Sequence, residues 1–151
     1  MFRADIADLL SQANPRYAVQ VVKHDFNPGE VLKMDGQVQT AYARKGWSSL
    51  MLFNMQHAGN RIRLNTGDFN TKPGLFYQQF AWLRDDEIGE LDPAWNSLEG
   101  IQDTTDAKAV HLTRGTPDMI EVEPSVAREW WSYTTCKDFS LSVRTDGATA
   151  Q

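Results

Sequence analysis

Tyr17 to Val22 reads YAVQVV, and Trp47 to Asn54 reads WSSLMLFN. The first run is β-branched and aromatic and breaks into the polar Lys23-His24-Asp25, a pattern that predicts a strand. The second is mostly apolar and of strand length. It predicts a strand buried on both faces in the middle of a sheet, with Leu50, Leu52 and Phe53 in the core. A further short strand is expected at Ala109 to Leu112. Helical signals lie between and around these runs. Phe2 to Leu10 (FRADIADLL) sets Ile6, Leu9 and Leu10 on one face with Asp5 and Asp8 opposite, and the helix must stop by Asn14-Pro15. Asn54 is positioned to cap a short helix through His57 and Arg61. Leu75 to Leu83 (LFYQQFAWL) repeats apolar residues at helical spacing. Pro124 to Tyr133 (PSVAREWWSY) carries its proline in a first turn, where the missing N–H costs nothing. Helices and strands alternate, so the expected class is α/β, a mixed sheet flanked by helices.

A chain of 151 residues with 41 % apolar content suits one compact unit. That unit is expected over 1–136, with the Ser/Thr/Asp/Gly-rich stretch 137–151 as a loose tail. The net charge of -5 and the scattered cations argue against a nucleic-acid partner, which would need a concentrated basic surface. Cys136 stands alone, which excludes an internal disulfide and a cysteine-based zinc site. No run approaches the roughly 20 apolar residues of a membrane span. The start of the chain lacks the apolar core of a signal peptide. A soluble, cytoplasmic protein is the expectation; nothing in the sequence speaks to oligomeric state.

Asn27-Pro28-Gly29 marks a turn, and Lys33 to Gly46 (KMDGQVQTAYARKG) follows no sustained period, so it reads as a long loop of the kind that is usually functional. Its Lys33, Asp35, Gln37 and Gln39, leading to Trp47, Ser48 and Ser49, supply amide, hydroxyl and carboxylate groups that suit a hydroxyl-rich ligand. Trp47 either offers a face to a sugar ring or begins a core strand. The cluster Arg84-Asp85-Asp86-Glu87 either presents a carboxylate to a reacting centre or is a solvated helix end. His111 closes an apolar strand just before the turn Thr113-Arg114-Gly115-Thr116-Pro117, where an imidazole can ligate a metal and Gly115 lets a backbone approach a phosphate. A purely structural His111 is equally open. His24, beside Asp25, and His57 are weaker candidates.

Taken in order, KMDGQVQTAYARKGWSSLMLFN, FAWLRDDEIGELDPAWN and HLTRGTP resemble the downstream half of a bacterial and phage glycosyltransferase family that is similar to the retaining family 8 enzymes of GT-A fold. The resemblance covers about Phe2 to Pro117. It implies the C-terminal part of a GT-A fold that moves a sugar from an NDP-sugar donor to a saccharide-type acceptor with a divalent cation, manganese or magnesium. It implies that His111 is a metal ligand and that Gly115 approaches the diphosphate. It further implies that Trp47, Ser48 and Ser49 lie beside the donor sugar and that Asp86 or Glu87 falls near the acidic position that holds sugar hydroxyls. The Asp-x-Asp pair that such enzymes place just before the segment FRADIADLL is missing, and Pro117-Asp118-Met119 departs from the family pattern. This chain alone is therefore expected to be inactive. The alternative is a non-catalytic carbohydrate-binding or interaction module derived from such an enzyme.

Overall fold

Ala18 to Val22 are all buried, and the run supplies the central strand, β1 (Val19–Val21). Strand β2 (Met51–Phe53) lies antiparallel to it, with Val21 opposite Met51, and β3 (Ile88–Glu90) lies parallel, with Val19 opposite Ile88. The order is therefore β2-β1-β3. A second, two-stranded parallel sheet joins β4 (Ser97–Leu98) to β5 (Val110–His111), and Phe2 bridges antiparallel to Ala109. Helices α1 (Ile6–Leu10), α2 (Ala58–Arg63), α3 (Gly74–Gln78) and α4 (Pro124–Thr134) are interspersed among the strands, so the α/β class with a mixed sheet holds. The computed structural model describes residues 1–25 and 42–134. The expected turn at Asn27-Pro28-Gly29, most of the loop Lys33 to Gly46, Cys136 and the expected tail at 137–151 lie outside the described residues. No helix among the described residues is long and apolar enough to cross a membrane.

One core cluster packs Val19 and Val21 against Phe80, Trp82, Leu83 and Ile88. Each such side chain contributes about 2 kcal/mol by leaving water. A second gathers Leu9, Val22, Leu91, Trp95 and Ala109, and a third Ala107, Val110 and Val126. Strand β5 and helix α4 stand where the sequence puts them, because their apolar residues repeat with the local period.

Three expectations are corrected. Trp47 to Asn54 is not a central strand. Trp47–Ser49 forms a 3-10 turn because the Ser49 hydroxyl and N–H both donate to the Gly46 carbonyl, at 2.6 and 3.2 Å, and local bonds of this kind compete with a ladder. Only Met51–Phe53 extends, as the edge strand β2, with Met51 exposed and Leu50, Leu52 and Phe53 half-buried against the two larger clusters. The helix at Leu75 to Leu83 stops after Gln78, since Phe80 takes a positive φ of 53° and the Arg44 guanidinium binds the carbonyl of Gln79. A cation from a distant stretch thus satisfies the carbonyl end of the helix. Helix α2 is capped by His57, whose Nδ1 accepts from the Gly59 N–H at 3.0 Å, rather than by Asn54. In α1, Leu9 is buried but Ile6 and Leu10 are half exposed.

Gly89 is required by space. A Cβ there would overlap the Tyr17 ring, with Cγ 2.6 Å away, and would crowd Cγ of Gln20 at 2.8 Å. Gln20 is held by hydrogen bonds with the N–H of Asn14 and the carbonyl of Gln12. Gly89→Ala is expected to lower stability by about 2 kcal/mol or more through overpacking against the central strand. Urea unfolding of the variant against the parent chain measures it.

Candidate functional site

Polar side chains from four separate stretches meet where β1 and β5 end and β2 and β4 begin. His24 follows β1 and is buried; Asn96 precedes β4 and is buried; Ser49 precedes β2; His111 ends β5 and is half-buried. Asn96 Nδ2 donates to Ser49 Oγ at 2.7 Å and lies 3.1 Å from His24 Nε2. An amide nitrogen only donates, so His24 Nε2 is the bare nitrogen and Nδ1 carries the ring proton. Trp47 Nε1 donates to the His24 carbonyl at 3.0 Å. Gly46, at φ 81°, lets the chain fold close over the His24 ring, whose Cδ2 would lie 3.4 Å from any Cβ there.

The electrostatics favour neutral imidazoles. Burial holds the His24 pKa below its ordinary 6.5, and the proximity of His111 adds to the effect. His111 is lowered chiefly by burial and secondly by the ammonium of Met1, which donates to the Val110 carbonyl at 2.7 Å. The His111 imidazole makes no hydrogen bond among the described residues, whereas His24 is held by Asn96. Ser49 is not an activated nucleophile: its hydroxyl donates to Gly46 and accepts from Asn96, and no base touches it.

Of the residues singled out from sequence, Lys33, Asp35, Gln37 and Gln39 lie outside the described residues. Trp47 is half-buried, packed on the first core cluster, with the Lys23 ammonium and the Arg44 guanidinium 5.7 and 5.8 Å from its ring centre. The core role left open for it is thus present, and cations occupy space over its ring. Ser48 is half-buried beside it in the 3-10 turn. Gly115 takes φ 144°, a conformation that favours glycine, in the loop after His111.

Asp86 and Glu87 do not join this group. They sit in a 3-10 turn leading into β3, where the Glu87 carbonyl accepts from the Ala18 N–H at the start of β1. Glu87 is buried: Oε1 binds Arg63, and Oε2 accepts from the Arg84 N–H at 2.8 Å. Asp86 is exposed and meets Arg84 at 3.2 Å, a solvated pair of small energetic consequence. The Trp47 and Asp85–Glu87 segments touch through an Arg44–Asp85 ion pair. Sequence reasoning passed over Asn96 and ranked His24 low. The signal for both was a polar residue directly adjoining a buried apolar one at a strand boundary, as in Trp95-Asn96.

Among the described residues no group of three or more His, Cys, Asp or Glu side chains is placed to hold a metal ion. His111 as found therefore does not by itself fit a divalent cation site.

No protein-family model matches the chain. No solved structure matches it. Among curated proteins the chain is similar to Protein CDI of Arabidopsis thaliana, 45 % identical over 123 residues, which is 78 % of this chain and 47 % of that protein. The chain spans about half the length of the relative it matches. That relative is a plant protein, which overturns the resemblance to a bacterial and phage glycosyltransferase family.

Two pH effects follow. The depressed His24 pKa means that the unfolded chain binds the proton more readily, so stability is lost as pH falls below 6.5 toward the folded value. The melting temperature should drop over that interval, and His24→Gln should flatten the drop, as a pH series of thermal melts would read. Glu87 behaves with the usual carboxylate sign. Its pKa is lowered, chiefly by the hydrogen bond from Arg63, so it stabilises above 4.5 and the benefit fades as pH falls further. Glu87→Gln should destabilise at neutral pH and reduce the steepness of acid unfolding below 4.5, measured by circular dichroism.

Proposed function

We propose that this chain is the sugar-facing half of a glycosyltransferase that takes an NDP-sugar donor and a saccharide acceptor, and that its mixed sheet is the C-terminal part of a GT-A arrangement. The observation that carries the reading is the convergence of His24, Ser49, Asn96 and His111 at the strand ends, with Trp47 alongside. Ligands of α/β sheets bind in the crevice outside the strand ends. A sugar presents hydroxyls that both donate and accept, and this edge offers amide, hydroxyl and neutral imidazole groups in fixed orientation. His111, with no hydrogen bond of its own among the described residues, is the group left to engage a ligand.

What these residues contribute is positioning. Asn96 ties His24 to Ser49, and the Gly46 turn holds Trp47 and Ser49 against β1. A group held in place before the substrate arrives lowers the orientational cost of transfer. The divalent cation expected for such chemistry would need ligands beyond those described. Nucleotide binding belongs to the part of the enzyme this chain does not supply, a division that agrees with a relative about twice as long. Cytoplasmic placement is part of the same proposal. The lack of a metal-binding cluster among the described residues favours one second reading, a saccharide-binding module that performs no transfer.

Saturation-transfer NMR of the 151-residue chain with UDP-glucose, GDP-mannose and UDP-N-acetylglucosamine tests the proposal. The sugar protons of at least one donor should receive more magnetisation than its base protons, and Asn96→Ala should weaken binding about tenfold. The chain alone should transfer no sugar. Stronger saturation of the base, or no binding of any donor, overturns the reading. Free saccharides bound as tightly as the donors would favour the binding module.

A further inference from the structure

A cleft beside this edge is used by nothing above. It encloses about 830 Å³ between the ends of β4 and β5 and the start of α4. Its walls include Arg3, Glu99, Gln102, Thr104, Thr105 and Arg114, and no apolar side chain lines it. Sites for apolar small molecules are lined mainly by hydrophobic residues, so this cleft suits a ligand rich in hydrogen-bonding groups.

Its floor is a buried carboxylate. The Glu99 side chain is 2 % exposed, and Oε1 accepts from Arg114 Nη2 at 2.9 Å and from the Glu123 N–H at 3.4 Å. Oε2 has no partner among the described residues, and leaving a buried oxygen without a donor forfeits its hydration. Arg114 is half exposed and lies flat over Gly100, where any Cβ would come within 2.5 Å of the guanidinium carbon. Gly100 also takes φ 75°, so space and backbone both call for glycine. Above the floor, Thr105 is turned by Asp103, and Arg3 is anchored to Glu129 and to the Thr104 carbonyl. The Glu99 N–H donates to the His111 carbonyl at 3.0 Å, so the cleft begins one residue from the proposed sugar edge.

We propose that this cleft binds the saccharide acceptor, with Glu99 Oε2 accepting from a sugar hydroxyl and Arg3 and Arg114 donating to neighbouring hydroxyl oxygens. Only the word acceptor rests on the transferase reading; saccharide binding here stands on the cleft itself. Carboxylates and guanidinium groups side by side match vicinal hydroxyls, which present a donor and an acceptor at fixed spacing. An anionic ligand is disfavoured, since Glu99, Asp103 and Glu123 outnumber Arg3 and Arg114 in the walls.

Amide-resolved NMR titration of the whole chain with glucose, galactose and N-acetylglucosamine tests this. At least one sugar should give saturable shifts at Gly100, Gln102, Thr104 and Thr105. Glu99→Gln, isosteric but with a donor in place of an acceptor, should weaken that binding about tenfold. If Glu99→Gln does not fold, Arg114→Gln at the half-exposed rim makes the same comparison. No shifts with any of the three sugars at high millimolar concentration, shifts unaffected by the substitution, or shifts confined to His24, Ser49 and Asn96 would overturn the proposal. Cleft shifts in a chain that binds no NDP-sugar would leave a saccharide site and remove the transferase reading. NDP-sugar binding without cleft shifts would remove the cleft alone.

Discussion

The side-chain amide of Asn60 is the interaction on which the larger sheet depends. It is buried, and its Nδ2 donates to the Ala18 carbonyl at 2.7 Å and to the Asn54 carbonyl at 2.9 Å. Its Oδ1 accepts from Trp82 Nε1 at 3.0 Å. One side chain therefore joins the start of β1, the end of β2, helix α2 and the largest aromatic of the first core cluster. Each partner is buried or half-buried, so removing the amide would strand several polar groups at once, and a stranded buried group costs more than a formed bond contributes. With strands of three residues the ladders alone are too short to hold the sheet, and such cross-ties make up the difference.

The two ends of β1 are built for different purposes. At its start, Glu87 is locked by Arg63 and Arg84, Asp85 takes Arg44, and Asn60 fills the remaining backbone valences. Charges there are paired with charges. At its end, His24, Asn96 and Ser49 are joined by neutral hydrogen bonds, and His111 stands without one among the described residues. Burial keeps both imidazoles uncharged, so this end presents oriented dipoles rather than fixed ions. Oriented neutral groups suit a hydroxylated ligand, because they donate and accept without the desolvation penalty of burying an ion.

The likeness to Protein CDI of Arabidopsis thaliana bears on the extent of the chain and leaves its chemistry to the residues. The chain spans about half of that protein, and the described residues hold a neutral hydrogen-bonded edge beside a cleft lined by charged and polar residues. Glu99 is the side chain on which the two features meet, its backbone bound to His111 and its carboxylate at the floor of the cleft.

The residues alone determined the α/β class, β1, β5 and α4, because each is a contiguous segment whose apolar pattern or proline position acts over a few neighbours. They did not determine that WSSLMLFN would begin with a 3-10 turn and end as an edge strand. That outcome turned on the Ser49 hydroxyl folding back to Gly46, in competition with a ladder. Nor did they show that the LFYQQF helix would stop after Gln78, since Arg44 binds the carbonyl of Gln79 from 35 residues away. His111 was legible as a candidate from its strand end and following glycine turn, whereas its neighbours were not. His24 and Asn96 are 72 residues apart, and only chain folding brings an amide to an imidazole at 3.1 Å. Both roles stayed open for Asp86 and Glu87 in the sequence, because Arg63, which binds Glu87, lies 24 residues away. Local period decides which segments form elements; pairing between distant polar groups decides which are spent on the fold and which are left for a ligand, and that pairing exists only in three dimensions.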